Sequence, residues 1–195
     1  MTGLFHFKVV IIGNANVGKS CLAVRFCRGE FKENQEPSIG ACFMTQTVKI
    51  NDSEIKFEMW DTAGQERYKA LAPMYYRGAA VGVIVFDITS KDSFAAAKLL
   101  VQELRGTDAL IALAGNKSDL VAQRKVTKQE AQEYANEENI VYMETSAKTG
   151  ENVNEFFGEI AVRLPKIAKK PNEKKGFKVA GANRSDEAEA AGGCC

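Results

Sequence analysis

Phe7 to Ile12 is a nearly continuous apolar run that stops at Gly13, the pattern of a strand buried on both faces. Lys19 to Arg28 reads as a helix, and Gly29 to Cys42, without clear periodicity, as a loop. Phe43 to Ile50 and Ile55 to Trp60 flank Asn51-Asp52-Ser53, which predicts a hairpin. Val81 to Phe86 is another buried strand, followed by a helix that turns Phe94, Ala97, Leu100, Val101 and Leu104 inward. Leu110 to Ala114 is the next strand. Thr127-Lys128-Gln129-Glu130 is a capping-box pattern that opens a helix to about Glu138, and Ile140 to Met143 is a sixth short strand. Asn152 is placed to cap a last helix with Val153, Phe156, Phe157, Ile160, Ala161 and Leu164 on one stripe; Pro165 marks its end or a bend near it.

Strands thus alternate with helices except at the hairpin. The pattern predicts a three-layer α/β fold: a six-stranded, mostly parallel sheet with one antiparallel edge strand and helices on both faces. There is no internal repeat. Beyond Pro165 the pattern stops. Lys166, Lys169, Lys170, Lys174, Lys175 and Lys178 lie among Pro, Asn and Gly, and Asp186, Glu187 and Glu189 follow among Ala and Gly. Such a stretch buries too little apolar surface to offset its ordering entropy. The expected division is a folded domain over 1–166 and a flexible tail over 167–195.

Composition adds little to this. The 195 residues suit one domain plus a tail, and 45% hydrophobic with 26% charged residues is ordinary for a globule. A net charge of +1 argues for neither a nucleic-acid nor an acidic-membrane partner, so any electrostatic role must come from local patches. The five cysteines fit no metal spacing and are odd in number, which reads as free thiols in a reducing compartment. His6 is the sole histidine and reads as a surface residue. No apolar run approaches the ~18–20 residues of a transmembrane helix.

Chemistry is concentrated in four short stretches, each after a strand. Gly13-Asn14-Ala15-Asn16-Val17-Gly18-Lys19-Ser20 matches G-x-x-x-x-G-K-[ST] between a strand and a helix, running into Cys21. Inward-turned N–H groups there make an anion nest, and the helix N-terminus adds partial positive charge. Gly13 and Gly18 allow torsions and a close approach that side chains obstruct. Lys19 supplies a charge for the β- and γ-phosphates, and the Ser20 hydroxyl is a hard oxygen ligand for Mg²⁺. This motif alone chooses neither ATP nor GTP, and neither kinase nor hydrolase. Asp61-Thr62-Ala63-Gly64-Gln65 follows the strand ending at Trp60, where an Asp can hold Mg²⁺ through water.

Asn116-Lys117-Ser118-Asp119 ends the strand Leu110 to Ala114. The Asp119 carboxylate can accept from guanine N1–H and the exocyclic amine, whereas adenine offers a lone pair at N1 and no such amine. A site built to pair polar groups can reject the analogue lacking them by ~10⁴-fold or more. Lys117 can lay its aliphatic stem along the base, and Ser146-Ala147-Lys148 can present a backbone N–H to the guanine oxygen.

These residues resemble a small GTPase of the Ras superfamily, specifically a Rab, over about Phe5 to Lys166. Rab-like stretches include Ile39-Gly40-Ala41-Cys42-Phe43, Lys56-Phe57-Glu58-Met59-Trp60, Gln65-Glu66-Arg67-Tyr68 and Tyr75-Tyr76-Arg77-Gly78-Ala79. Within the Rabs the chain is most similar to the early-endosomal, Rab-five-like branch, through Phe43-Met44-Thr45-Gln46-Thr47-Val48, Met74-Tyr75-Tyr76-Arg77-Gly78-Ala79-Ala80 and Met143-Glu144-Thr145-Ser146-Ala147-Lys148. The resemblance implies a P-loop GTPase fold and a GTP/GDP switch with Mg²⁺. The ordered loops are about Gly29 to Cys42 and Ala63 to Met74. It implies that Gln65 orients the attacking water, that the Gly64 N–H senses the γ-phosphate, and that Ser38 joins Ser20 and Asp61 as a Mg²⁺ ligand. With no obvious arginine finger in the chain, an activating protein is expected to supply one. Ile39 and the aromatic trio Phe43, Trp60 and Tyr75 are implied to meet effectors, with a core role for Phe43 and Trp60 weighed equally.

Two departures stand out. Rabs normally carry Thr where Ser38 stands, and Asn16 is bulkier than the Gly or Ala usual there. The looser Ser38 lacks a stiffening β-branch, while Asn16 tolerates left-handed torsions, so the nest is expected to survive and the hydrolysis rate is in question. Gly192-Gly193-Cys194-Cys195 closes the chain, and the resemblance implies geranylgeranylation of both thiols. Two lipid chains meet the two-signal requirement for stable anchoring. The expected partners are effectors, a nucleotide exchange factor, a GTPase-activating protein, GDP-dissociation inhibitor, Rab escort protein and a membrane, for a monomer that binds no nucleic acid. The expected site of action is the cytoplasmic face of early endosomes, with a cytosolic pool. The alternatives are a nucleotide-binding scaffold with negligible hydrolysis, a Rab of another compartment and, more weakly, a P-loop kinase.

Overall fold

A computed structural model describes residues 3–33, 40–50, 53–62 and 72–167. In chain order the elements are β1 (Gly3–Ile12), α1 (Lys19–Arg28), β2 (Ala41–Ile50), β3 (Ser53–Thr62), α2 (Ala72–Tyr76), β4 (Val81–Asp87), α3 (Lys91–Leu104), β5 (Leu110–Asn116), α4 (Lys128–Glu137), β6 (Val141–Thr145) and α5 (Val153–Ile167). The six strands form one sheet in the order β2-β3-β1-β4-β5-β6. Only the β2–β3 pair is antiparallel. This is the expected three-layer arrangement with its single antiparallel edge.

Period-two alternation along β1 explains the two cores. Val9 and Ile11 point to one face, where Phe26 of α1 and Phe156, Phe157 and Ile160 of α5 pack with Phe57 and Met59 of β3. Val10 and Ile12 point to the other, against Phe94, Ala97, Val101 and Leu104 of α3 and Ala131 of α4. The Phe26 and Phe157 rings stack at 3.9 Å, and Phe57 meets Phe26 edge-on at 5.7 Å. Truncating a buried ring of this kind costs about 3–5 kcal/mol.

Thr127 caps α4 as its pattern predicts, its hydroxyl accepting the Glu130 N–H at 3.1 Å. Asn152 does not cap α5 through its side chain. It takes a positive φ of 55°, and its amide donates to the Glu144 carbonyl at 2.9 Å, tying the helix start to β6. α5 runs through Ile167, two residues past Pro165. A helix can carry proline so near its end at the loss of one backbone donor. The strand expected from Ile140 starts at Val141, because the Ile140 N–H goes back to Ala135. α2 falls partly inside the loop expected to Met74. Five residues holding a proline give no helical period to read. The hairpin register pairs Ile50 with Ser53, so Ser53 is a strand residue, and Asn51 and Asp52 lie outside the described residues.

Candidate functional site

The strands run further than their apolar runs suggest, and the extra residues are the chemical ones. Asp61, Asp87, Asn116 and Thr145 lie within the strands, at or next to their last residues, whereas the sequence places Asp61 and Asn116 after their strands. In register, Asp61 sits opposite Ile11, Asp87 opposite Asn116, and Asn116 opposite Thr145. Ladder pairing therefore fixes these polar side chains along one carboxyl edge of the sheet, where open α/β sheets take ligands.

Gly13 and Gly18 are required by their surroundings. At φ 146° a Cβ on Gly13 would lie 2.2 Å from the Val85 carbonyl oxygen, and at φ 94° one on Gly18 would lie 2.3 Å from Asn116 Nδ2. Asn16 adopts φ 63°, the left-handed torsion expected of it. Gly18 caps α1 and supplies no side-chain acceptor to the helix's first N–H groups. Lys19 is buried and folds back to donate to the Asn14 carbonyl at 2.8 Å. Burial lowers its pKa to about 8, with Asp61 acting in the opposite sense. The arrangement is a helix N-terminus with a desolvated ammonium beside it, which a polyanion would match.

Ser20 Oγ donates to Asp61 Oδ2 at 2.5 Å, and Thr62 Oγ1 holds the end of β3 by donating to the Ile11 carbonyl at 2.8 Å. Two hard oxygens from different elements at the mouth of the nest fit Mg²⁺, which accepts few protein ligands and fills its shell with water and phosphate. Among the described residues no group of three or more His, Cys, Asp or Glu side chains could hold a metal.

Asn116 joins this loop to the base-reading stretches. Buried to 2% exposure, it donates from Nδ2 to the Val17 carbonyl at 2.8 Å and accepts the Ala147 N–H at Oδ1 at 3.2 Å. Lys117 takes φ 67°, and its ammonium lies 2.6 Å from Asp87 Oδ2. Asp119 Oδ1 accepts from Ser146 Oγ at 2.6 Å. The Ser146 N–H donates to the Glu151 carbonyl at 3.0 Å, so the N–H groups of residues 146 and 147 are both engaged within the protein. Lys148 is exposed, its ammonium 3.2 Å from Glu33 Oε1.

The structure thus brings Gly13 to Cys21, Asp61, Asn116, Lys117, Asp119 and Ser146 to Lys148 to one edge. It also gathers two of the aromatics in direct contact. The exposed Phe43 ring lies 5.2 Å from that of Trp60, and half-buried Trp60 and Tyr75 both pack on the second core. Trp60 therefore has both a core side and a surface side. Ser38, Ile39, Gly64, Gln65, Cys194 and Cys195 lie outside the described residues. Sequence reading missed Asp87, the anchor of Lys117, and Arg25, whose guanidinium donates to the carbonyls of Ala147 and Lys148. Asp87 had a signal in being the polar residue that closes an apolar strand. Arg25 had none, with partners more than a hundred residues away.

The model of the Ras family matches residues 8–166. The Ras-related protein Rab-5A of Dictyostelium discoideum is 58% identical over 166 residues, 84% of this chain and 83% of that protein. The Ras-related protein RHN1 of Nicotiana plumbaginifolia is 52% identical over 191 residues, 96% of this chain and 94% of that protein.

Proposed function

Since the chain belongs to the Ras family, as a Rab-type small GTPase similar to Rab5, we propose that it is a membrane-cycled GTP/GDP switch of early-endosomal traffic and fusion whose site is the carboxyl edge described above. The family brings guanine-nucleotide binding, GTP hydrolysis in general, and effectors, exchange factors, activating proteins and GDP-dissociation inhibitor as kinds of partner. The observation that carries the site is Asn116, which ties the phosphate loop at Val17 to the base loop at Ala147. A nucleotide's two ends are thereby read by one connected frame.

In this reading Gly13 to Cys21 cradle the α- and β-phosphates, and Lys19 meets the β- and γ-phosphates. Asp119 accepts from the guanine ring, Lys117 lies along it with its head held by Asp87, and Ala147 meets its oxygen. Ser20 and Ser38, with Asp61 through water, would hold Mg²⁺, which when bound neutralises charge on the phosphate oxygens. Gln65 orients the water that attacks the γ-phosphorus as the bond to the bridging oxygen breaks, and the Gly64 N–H marks the γ-phosphate. GDP and inorganic phosphate leave. Residues 1–166 form the G domain and 167–195 the tail, a division supported by a family match that ends at 166. Cys194 and Cys195 carry the prenyl chains, Rab escort protein is a partner of the chain, and Ile39, Phe43, Trp60 and Tyr75 face effectors.

Purified protein loaded with GTP is expected to release inorganic phosphate slowly without any acceptor, and faster with a Rab-type activating protein, by about 10³-fold or more. Bound GTP that stays intact in both conditions would replace this reading with that of a binding scaffold.

A further inference from the structure

Arg25 makes three connections at once. From the last turn of α1 its Nε donates to the Ala147 carbonyl at 2.8 Å, one terminal nitrogen donates to the Lys148 carbonyl at 2.7 Å, and the other donates to the Gly29 carbonyl at 2.6 Å. Its guanidinium also lies 5.9 Å from the centre of the Phe31 ring. One rigid fork therefore spans the base loop and the segment that leaves α1. The exposed Glu33–Lys148 ion pair at 3.2 Å bridges the same two segments independently. Capping of α1 is already met by the backbone, where the Gly29 N–H donates to the Arg25 carbonyl at 2.9 Å.

The geometry points to Arg25 as a positioning residue of the guanine site, holding the Ala147–Lys148 carbonyls so that the Ala147 N–H faces inward, and coupling the base loop to the segment Gly29–Glu33. This rests on the proposed nucleotide site. The physical basis is the planar fork. Charge-assisted donation to two successive carbonyls restrains a peptide unit in orientation as well as position, and an ammonium, a point charge, cannot reproduce it. Ser146 and the Ala147 N–H are tied separately, to Asp119, Glu151 and Asn116, whereas the Ala147 and Lys148 carbonyls are gripped by the fork, so its loss loosens that peptide unit first.

The test is fluorescent GDP release and capture by the full chain, as wild type, Arg25→Ala, Arg25→Lys and Glu33→Ala, with hydrogen exchange on each. Loss of two or three charge-assisted bonds predicts dissociation about tenfold to a hundredfold faster in Arg25→Ala, association within about twofold of wild type, and an intermediate rate for Arg25→Lys. Exchange protection should fall at residues 146–150 and at Gly29 while β1 and β4 stay protected. Glu33→Ala, which removes an exposed pair, should shift release by no more than about twofold. Release from Arg25→Ala within about twofold of wild type overturns the inference, as does protection lost evenly across the sheet. If Arg25→Ala does not fold, Arg25→Lys decides alone: release at least about threefold faster supports the inference, and an unchanged rate overturns it. Failure of wild type to bind GDP would instead remove the nucleotide site itself.

Discussion

Asn116 shows what single residues contribute here. Replacing it with Ala leaves the Val17 carbonyl and the Ala147 N–H without their partner in a buried place, at roughly 1–3 kcal/mol each. Guanine-nucleotide affinity, measured by fluorescent GDP titration, is expected to fall by at least about a hundredfold, with a lower melting temperature in the empty protein. Ser38 makes a second prediction. Ser lacks the β-branch that stiffens Thr, so Ser38→Thr is expected to tighten binding of a GTP-dependent effector. Isothermal titration against one effector checks this, and equal affinities would show that the branch is idle. At this scale the sequence was readable wherever chemistry is local. Gly13, Lys19 and Asp119 announce their roles through neighbours a few positions away. Asp87 and Arg25 act on residues brought near only by strand order, so no local pattern carries them.

Among elements, the junction of the phosphate loop with α1 is the tightest fit. Gly18 combines a positive φ with a neighbour, Asn116 Nδ2, 2.3 Å from where a Cβ would stand. Gly18→Ala must displace that amide or twist the helix start. A stability loss on the order of 1–3 kcal/mol and loss of nucleotide binding are expected, read by thermal unfolding and titration. Normal binding by a normally stable variant would mean that the loop is softer than described. Element types were legible because β1, β4 and β5 contain nearly continuous apolar runs and α3 and α5 carry clean stripes. Boundaries were not. The first residues of β1 pair with Ser53 to Lys56 despite their exposure, since ladder bonds need no apolar side chain. α2 is too short to show a period, and Asn152 looked like a cap because its type suits both a cap and the left-handed turn it actually makes.

For the whole molecule, the sheet brings four separate stretches to one edge, and this juxtaposition is the basis of the function proposed. Among the described residues no helix is long and apolar enough to cross a membrane. In the function proposed above, attachment falls to Cys194 and Cys195. The surface that would report the bound nucleotide includes Phe43 and Trp60, whose rings meet across the antiparallel edge β2–β3. The central claim, a site that reads guanine at one end and phosphate at the other, is tested most directly by competition binding. Nucleotide-free protein with Mg²⁺ and labelled GDP is titrated with GTP and with ATP. GTP is expected to displace the label at least about 10⁴-fold more effectively than ATP, and Asp119→Ala to remove most of that preference. Equal displacement by the two nucleotides, or a preference that survives Asp119→Ala, would contradict the claim.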